Sequence, residues 1–180
     1  LTHRAILANI AGVLQTIWPA PHEVWLSFLP LSHTFERTTS YYATLGMGCQ
    51  TAFNRNLGLL TDDLKAIRPN IMMSVPRVYE KVYAKIQDRL LTKSAFVRFM
   101  FNWQVEVGFR RFCRANGLPC PGSPAAVLDP LVAGFLDKSV AKSIRGIMGG
   151  RCRVLISGGA AFNQTVSKCF LAMGLDILQG

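Results

Sequence analysis

Apolar residues at Ile6, Leu7, Ile10, Val13, Leu14 and Ile17 recur at helical spacing and predict a helix over His3 to Ile17. Val24-Trp25-Leu26-Ser27-Phe28-Leu29 is a short apolar run closed by Pro30, the pattern of a buried strand. Phe35 to Met47 reads as a second helix ending in Gly46 and Gly48, and Cys49 to Phe53 as a second short strand. Thr61-Asp62-Asp63 opens a short helix, with Thr61 as N-cap and acids in the first turn. It stops at Arg68-Pro69, because the residue before proline disfavours the helical region. Ile71 to Val75 is the next strand, and Pro76 stands where a helix can begin. A long helical region follows from Arg77 to about Arg114, with Ser94 as a break or a new cap. Residues 115–124 carry Asn, Ser, two Gly and three Pro and read as a loop. Val127 to Met148 is helical again and ends at Gly149-Gly150. Val154 to Ser157 is a strand closed by Gly158-Gly159, Asn163 to Met173 a helix, and Leu175 to Leu178 a last strand.

Short apolar strands separated by helices cannot pair through hairpins, so they pair in parallel through crossovers. The expected fold is α/β, a mostly parallel sheet with flanking helices, spanning residues 1–180 without internal repeats. In open sheets of this kind ligands bind at the carboxyl ends of the strands.

Composition narrows the picture. Half of the 180 residues are hydrophobic and 17% are charged, which excludes intrinsic disorder. Mean hydropathy is +0.25, so a membrane span has to be considered. The charge-free stretch from Ala5 to His22 is interrupted by Asn9, Gln15, Pro19 and Pro21 and does not read as one. Thr2-His3-Arg4 leads straight into a mixed segment, so no signal peptide is expected. The start at Leu1 without Met, and the end directly after a strand, are expected to be cuts in a longer domain. The net charge of +10 suits anionic partners, or else is the local bias of a piece. Five cysteines without a C-x-x-C and three histidines give no zinc spacing; reduced thiols in a cytoplasmic protein are expected.

Three stretches carry candidate chemistry. Leu29-Pro30-Leu31-Ser32-His33-Thr34-Phe35-Glu36-Arg37 puts His33 between a strand and a helix, where an imidazole can donate to a carboxylate or phosphate oxygen; a structural histidine is the alternative. Ile156-Ser157-Gly158-Gly159-Ala160-Ala161 is a strand followed by glycines, which let a base or phosphate approach the backbone, or simply close the strand. It is no phosphate-binding loop, lacking Gly-Lys-Ser/Thr, and no nucleophile elbow, since Leu155 stands where glycine is needed. Arg77, Lys81, Lys85, Arg89 and Lys93 are spaced by four and make a basic stripe, a solvated face or a contact for anionic membrane. No nucleic-acid module or aromatic interleaving accompanies it, so no nucleic-acid partner is expected.

Together these segments resemble the adenylate-forming (AMP-binding) enzymes, and more closely bacterial long-chain fatty acyl-CoA synthetases. Leu1-Thr2-His3-Arg4 with Asn9 is similar to the tail after that family's phosphate loop, and Leu29 to Arg37 to its LPLSHxFER segment. Ser74 to Lys81 resembles its VPRVYEK segment, Ser157 to Ala160 its adenine-side loop, and Leu178-Gln179-Gly180 the start of its QGYGxTE motif. The resemblance spans the chain as part of the large N-terminal domain. It implies ATP-dependent conversion of a fatty carboxylate to an acyl-adenylate, followed by thioester formation with CoA, with Mg2+ assisting. It implies that His33 lies beside the carboxylate and α-phosphate, and that Gly158, Gly159, Ala160, Gln179 and Gly180 line the adenine. Phe35, Tyr41, Tyr42 and Leu45 would wall an acyl tunnel, or be ordinary core. Ala161 stands where many members have Pro. The family's phosphate loop and its Mg2+-binding acid fall outside these residues. No metal ligands are therefore expected within them, and the isolated chain is expected to be inactive. Alternatives are an acyl-AMP ligase loading a carrier protein, or a non-catalytic relic that binds lipid or nucleotide. The expected location is the cytoplasm, with peripheral contact at the inner face of the cell membrane.

Overall fold

The computed structural model describes residues 2–179. Its centre is a five-stranded sheet: β1 (Val24–Ser27), β2 (Gln50–Phe53), β3 (Ile71–Ser74), β4 (Val154–Ser157) and β5 (Asp176–Gln179). The spatial order is β2-β1-β3-β4-β5, and every neighbouring pair is parallel. The helices are α1 (His3–Ile17), α2 (Thr34–Glu36), α3 (Thr44–Met47), α4 (Leu60–Ile67), α5 (Pro76–Leu91), α6 (Ala95–Ala115), α7 (Asp129–Leu136), α8 (Lys142–Ile147) and α9 (Gln164–Ala172).

Alternation along the strands sorts two apolar layers. Trp25, Ile71, Met73, Val154 and Ile156 pack with Ile17 of α1 and Phe35 of α2. Leu26, Met72 and Leu155 point the other way, into a cluster with Leu64 of α4, Tyr79 of α5 and Phe170 of α9. Tyr79 is fully buried, and its hydroxyl donates to the Ile156 carbonyl at 3.0 Å, with the Met72 carbonyl at 3.3 Å. It pins α5 across β3 and β4, the structural use of the tyrosine in the VPRVYEK segment. A third layer, α6 to α8, packs outside α5 and α9. Within it Asp129 accepts from Arg110 at 2.7 and 2.8 Å and from Arg114 at 2.9 Å.

The element boundaries follow local chemistry. Pro76 opens α5 at its first position, and Ser94 caps α6 by accepting from the Val97 amide, so the long helical region is two helices. Asn163 caps α9 through the Thr165 and Val166 amides. Thr61 is not the cap of α4. A 3-10 turn, Leu57–Leu59, precedes that helix, and Asn56 caps the turn by accepting from the Leu59 amide. Asp63 is instead buried and closes a turn after β2, accepting from the Asn54 side chain, the Arg55 amide and the Arg55 guanidinium. Two π-helical stretches, Arg37–Ala43 and Asp137–Ala141, interrupt helices that periodicity alone reads as uniform. All five cysteines are free thiols. Among the described residues no helix is long and apolar enough to cross a membrane.

Candidate active site at the carboxyl edge of the sheet

From β1 the chain runs to β2 on one side, while β3 lies on its other side. The strand order therefore reverses between β1 and β3, and in open sheets of this kind ligands bind outside the carboxyl ends at such a point. His33 follows β1 into this region. It caps α2: its Nδ1 accepts from the Phe35 amide at 3.3 Å, after a turn in which the His33 amide donates to the Pro30 carbonyl at 2.9 Å. A nitrogen that accepts is unprotonated, so in the neutral ring the proton sits on Nε2. The imidazole is exposed. It is thus fixed as a donor that can meet an anionic oxygen.

The glycine loop after β4 comes to the same place. The Gly158 amide donates to the Ser74 carbonyl at the end of β3, at 3.2 Å. The Phe35 ring lies directly on Gly158: a Cβ there would stand 2.8 Å from Cζ and 3.0 Å from Cε2. Gly158 is therefore a glycine because an aromatic ring occupies its side-chain space. Gly159 has φ +84°, with nothing within 4 Å of where its Cβ would be. Gly159 and Ala160 are exposed, leaving open backbone that a flat group can cover. Gln179 ends β5 in register with Ser157, so it joins the same edge. Gly180 lies outside the described residues.

The four residues expected along a tunnel are not brought together. Phe35 is turned onto the sheet, Tyr41 and Leu45 are exposed, and Tyr42 is half-buried with its ring edge-on to Tyr41 at 5.3 Å. Tyr41 and Tyr42 lie within the π-helical stretch Arg37–Ala43, and Phe35 before it and Leu45 after it.

Beneath the His33 loop lies a feature the sequence patterns did not single out. Glu36 is fully buried, and neither carboxyl oxygen has a hydrogen-bond partner among the described residues. The hydroxyls of Ser27, Ser40 and Ser157 are buried and unpartnered too. Burial pushes the Glu36 carboxyl above its ordinary value. The Ser27 and Ser40 hydroxyls and the Phe28 and Leu29 amides beside it oppose that only in part.

The family model for AMP-binding enzymes matches residues 1–180. The chain belongs to the AMP-binding enzyme family. Long-chain-fatty-acid–CoA ligase 5 of Rattus norvegicus is 31% identical over 184 residues, covering 99% of this chain and 25% of that protein. The peroxisomal long chain acyl-CoA synthetase 6 of Arabidopsis thaliana is 31% identical over 170 residues, covering 93% of this chain and 22% of that protein. The chain thus spans about a quarter of the length of these relatives. Among solved structures, apo MatB from Rhodopseudomonas palustris superposes with a TM-score of 0.56 at 16% identity, over 99% of this chain and 25% of that one. The A-PCP didomain of a carboxylic acid reductase from Segniliparus rugosus, in complex with AMP, does so at 0.53 and 20% identity, over 96% of this chain and 20% of that one. The parallel sheet and flanking helices are accordingly the fold of the AMP-binding family, in the arrangement expected from the alternation of apolar runs.

Proposed function

We propose that these residues form part of the adenylation domain of a long-chain fatty acid–CoA ligase. In that reading a fatty carboxylate oxygen attacks the α-phosphorus of ATP, pyrophosphate leaves, and the CoA thiol then displaces AMP from the acyl-adenylate. The observation that carries it is the meeting of the His33 loop and the glycine loop, through Phe35 on Gly158, at the carboxyl edge where the strand order reverses.

The first step brings two anions together, so donors fixed in advance are what the protein can contribute. His33 supplies one: with Nδ1 occupied by the Phe35 amide, Nε2–H is directed to an outside oxygen, the carboxylate or the α-phosphate. Gly159 and Ala160 give the adenine exposed backbone, with Gly158 beneath the Phe35 ring anchoring the loop, and Gln179 extends the edge. Glu36 acts as a positioning residue. It is buried under the Phe28 and Leu29 amides, which lead into the His33 turn. Mg2+ is expected to accompany ATP, but among the described residues no group of three or more His, Cys, Asp or Glu is placed to hold a metal.

The test is fatty-acid-dependent exchange of pyrophosphate into ATP, measured on the complete ligase to which this chain is proposed to belong. Exchange that requires a long-chain acid and falls sharply in His33→Ala supports the reading. Exchange driven equally by short or amino acids removes the substrate class. Full exchange in His33→Ala removes the residue's role. Product analysis with CoA and with a carrier protein assigns the acceptor.

A further inference from the structure

The junction between α5 and α6 is the most exposed apolar part of the molecule. Residues 91–99 are all exposed, and among them Leu91, Phe96 and Phe99 are 73%, 68% and 57% accessible. Phe135 of α7, at 62%, faces the same region, where a groove of about 470 Å3 runs between the end of α5, the start of α6 and residues 135–147. Its walls include Ile86, Leu90, Val97 and Ile144. Clustered exposed aromatics at one tip are unlike single apolar residues scattered over a surface.

The charge at this tip is mainly positive, with exposed Asp88 at the end of α5 and Glu80 further down it as the interruptions. Arg89 and Lys93 line the groove, and Arg98 donates to the Lys93 carbonyl at 3.1 Å, so its guanidinium stays at the junction. From Arg89 to Val105 the sequence contains no Asp or Glu. Asp137, on the facing helix, is taken up by Arg145 at 2.8 and 2.9 Å. Arg77, Lys81 and Lys85 are exposed along α5 below the tip and extend the positive field. Exposed rings beside long cationic side chains match the boundary of a bilayer: rings enter the acyl layer, and cations remain among headgroup phosphates. A water-soluble anion would leave the rings unused, and a neutral apolar partner would leave the cations unpaired.

We propose that the α5–α6 tip docks on anionic membrane, with Leu91, Phe96 and Phe99 entering the acyl layer and Arg89, Lys93 and Arg98 at the phosphate level. The basic stripe then steers the approach, and the tip makes the contact. This surface stands independently of the ligase reading, since it involves none of the residues at the carboxyl edge.

Co-sedimentation of the chain with phosphatidylcholine vesicles, with and without about one-third phosphatidylglycerol, tests it. Binding is expected to the mixed vesicles and to be at least roughly tenfold weaker to the neutral ones. Phe96→Ser with Phe99→Ser, and separately Arg89→Glu with Lys93→Glu, are each expected to reduce mixed-vesicle binding about tenfold or more. All four side chains are exposed, so thermal melting should not change. Failure of the parent chain to bind mixed vesicles overturns the proposal. So does equal binding by the serine pair, which would leave only a diffuse electrostatic contact, or by the glutamate pair, which would leave only apolar adhesion.

Discussion

At the amino edge of the sheet Glu23 lies between the Arg153 guanidinium, at 2.6 and 2.8 Å, and the Ala20 amide at 3.0 Å. At the carboxyl edge Glu36 is buried without a cation or a well-formed hydrogen bond among the described residues, with the Ser27 and Ser40 hydroxyls and the Phe28 and Leu29 amides beside it. The amino edge is stitched elsewhere too. The Val24 amide donates to the Asn70 side chain, the Asn70 amide to the Val24 carbonyl, and the Arg153 amide to the Asn70 carbonyl. The carboxyl edge carries three unpartnered buried hydroxyls, Ser27, Ser40 and Ser157, and an open glycine loop. One end of the strands pairs its charged groups internally, Trp25 Nε1 being the buried polar atom left without a partner there, and holds the fold together. The other keeps polar groups in reserve, as a surface that meets a ligand does.

The two glutamates titrate in opposite directions. The Arg153 hydrogen bond holds Glu23 below the ordinary 4.5, so its contribution is present above that value and is lost as pH falls through the lowered one. Burial raises Glu36. Folding is free of its ionisation penalty below 4.5 and loses stability as pH rises toward the raised value. Acid therefore weakens the amino edge and relieves the carboxyl edge.

The sharpest way to break this contrast is His33→Ala in the complete protein proposed above to be a ligase. Adenylation should fall by about 10²-fold, the size of a lost fixed donor, while the melting temperature changes little. Pyrophosphate exchange and thermal denaturation, read on the same samples, check it. Next is Glu23→Ala, which strands Arg153 at the other edge. A loss of about 2 kcal/mol in denaturant unfolding is expected, because Arg153 is half exposed and regains water, with no change in nucleotide affinity. Gly158→Ala should weaken nucleotide binding by about tenfold, since the new methyl displaces the Phe35 ring and the loop above it. Displacement of a fluorescent ATP analogue reads this out; unaltered affinity would mean the glycine serves packing alone. The smallest effect is Glu36→Gln. It should stabilise the fold by about 1 kcal/mol at neutral pH, with the gain shrinking as pH falls toward 4.5. Urea unfolding across that range tests the sign.

The sequence made the strands legible where burial on both faces demands continuous apolar runs, as at Ile71 to Met73 and Val154 to Ile156. It also marked Pro76, Ser94 and Asn163, whose side chains act on their own helix ends. Thr61 was misleading because threonine followed by two aspartates suits a cap, yet Asp63 serves the distant turn at Asn54 and Arg55 instead. The π-helical stretches were hidden, since a change of hydrogen-bond register leaves the apolar spacing almost unaltered. Within the candidate site, His33 and the glycines could be picked out by residue type and position. Their meeting could not, because Phe35 and Gly158 are 123 positions apart and only the strand order brings them into contact. The Glu36 cluster was hidden for the same reason: Ser27, Ser40 and Ser157 come from three elements, and burial of a carboxyl has no local signature.

The ring of Phe35 on Gly158 has a thermodynamic consequence. Two loops more than a hundred residues apart share one immobile wall, so the conformational entropy of ordering them is surrendered together when the chain folds, not separately when a ligand arrives. A molecule that touches both sides then meets a seat already preorganised, and more of its contact energy appears as affinity.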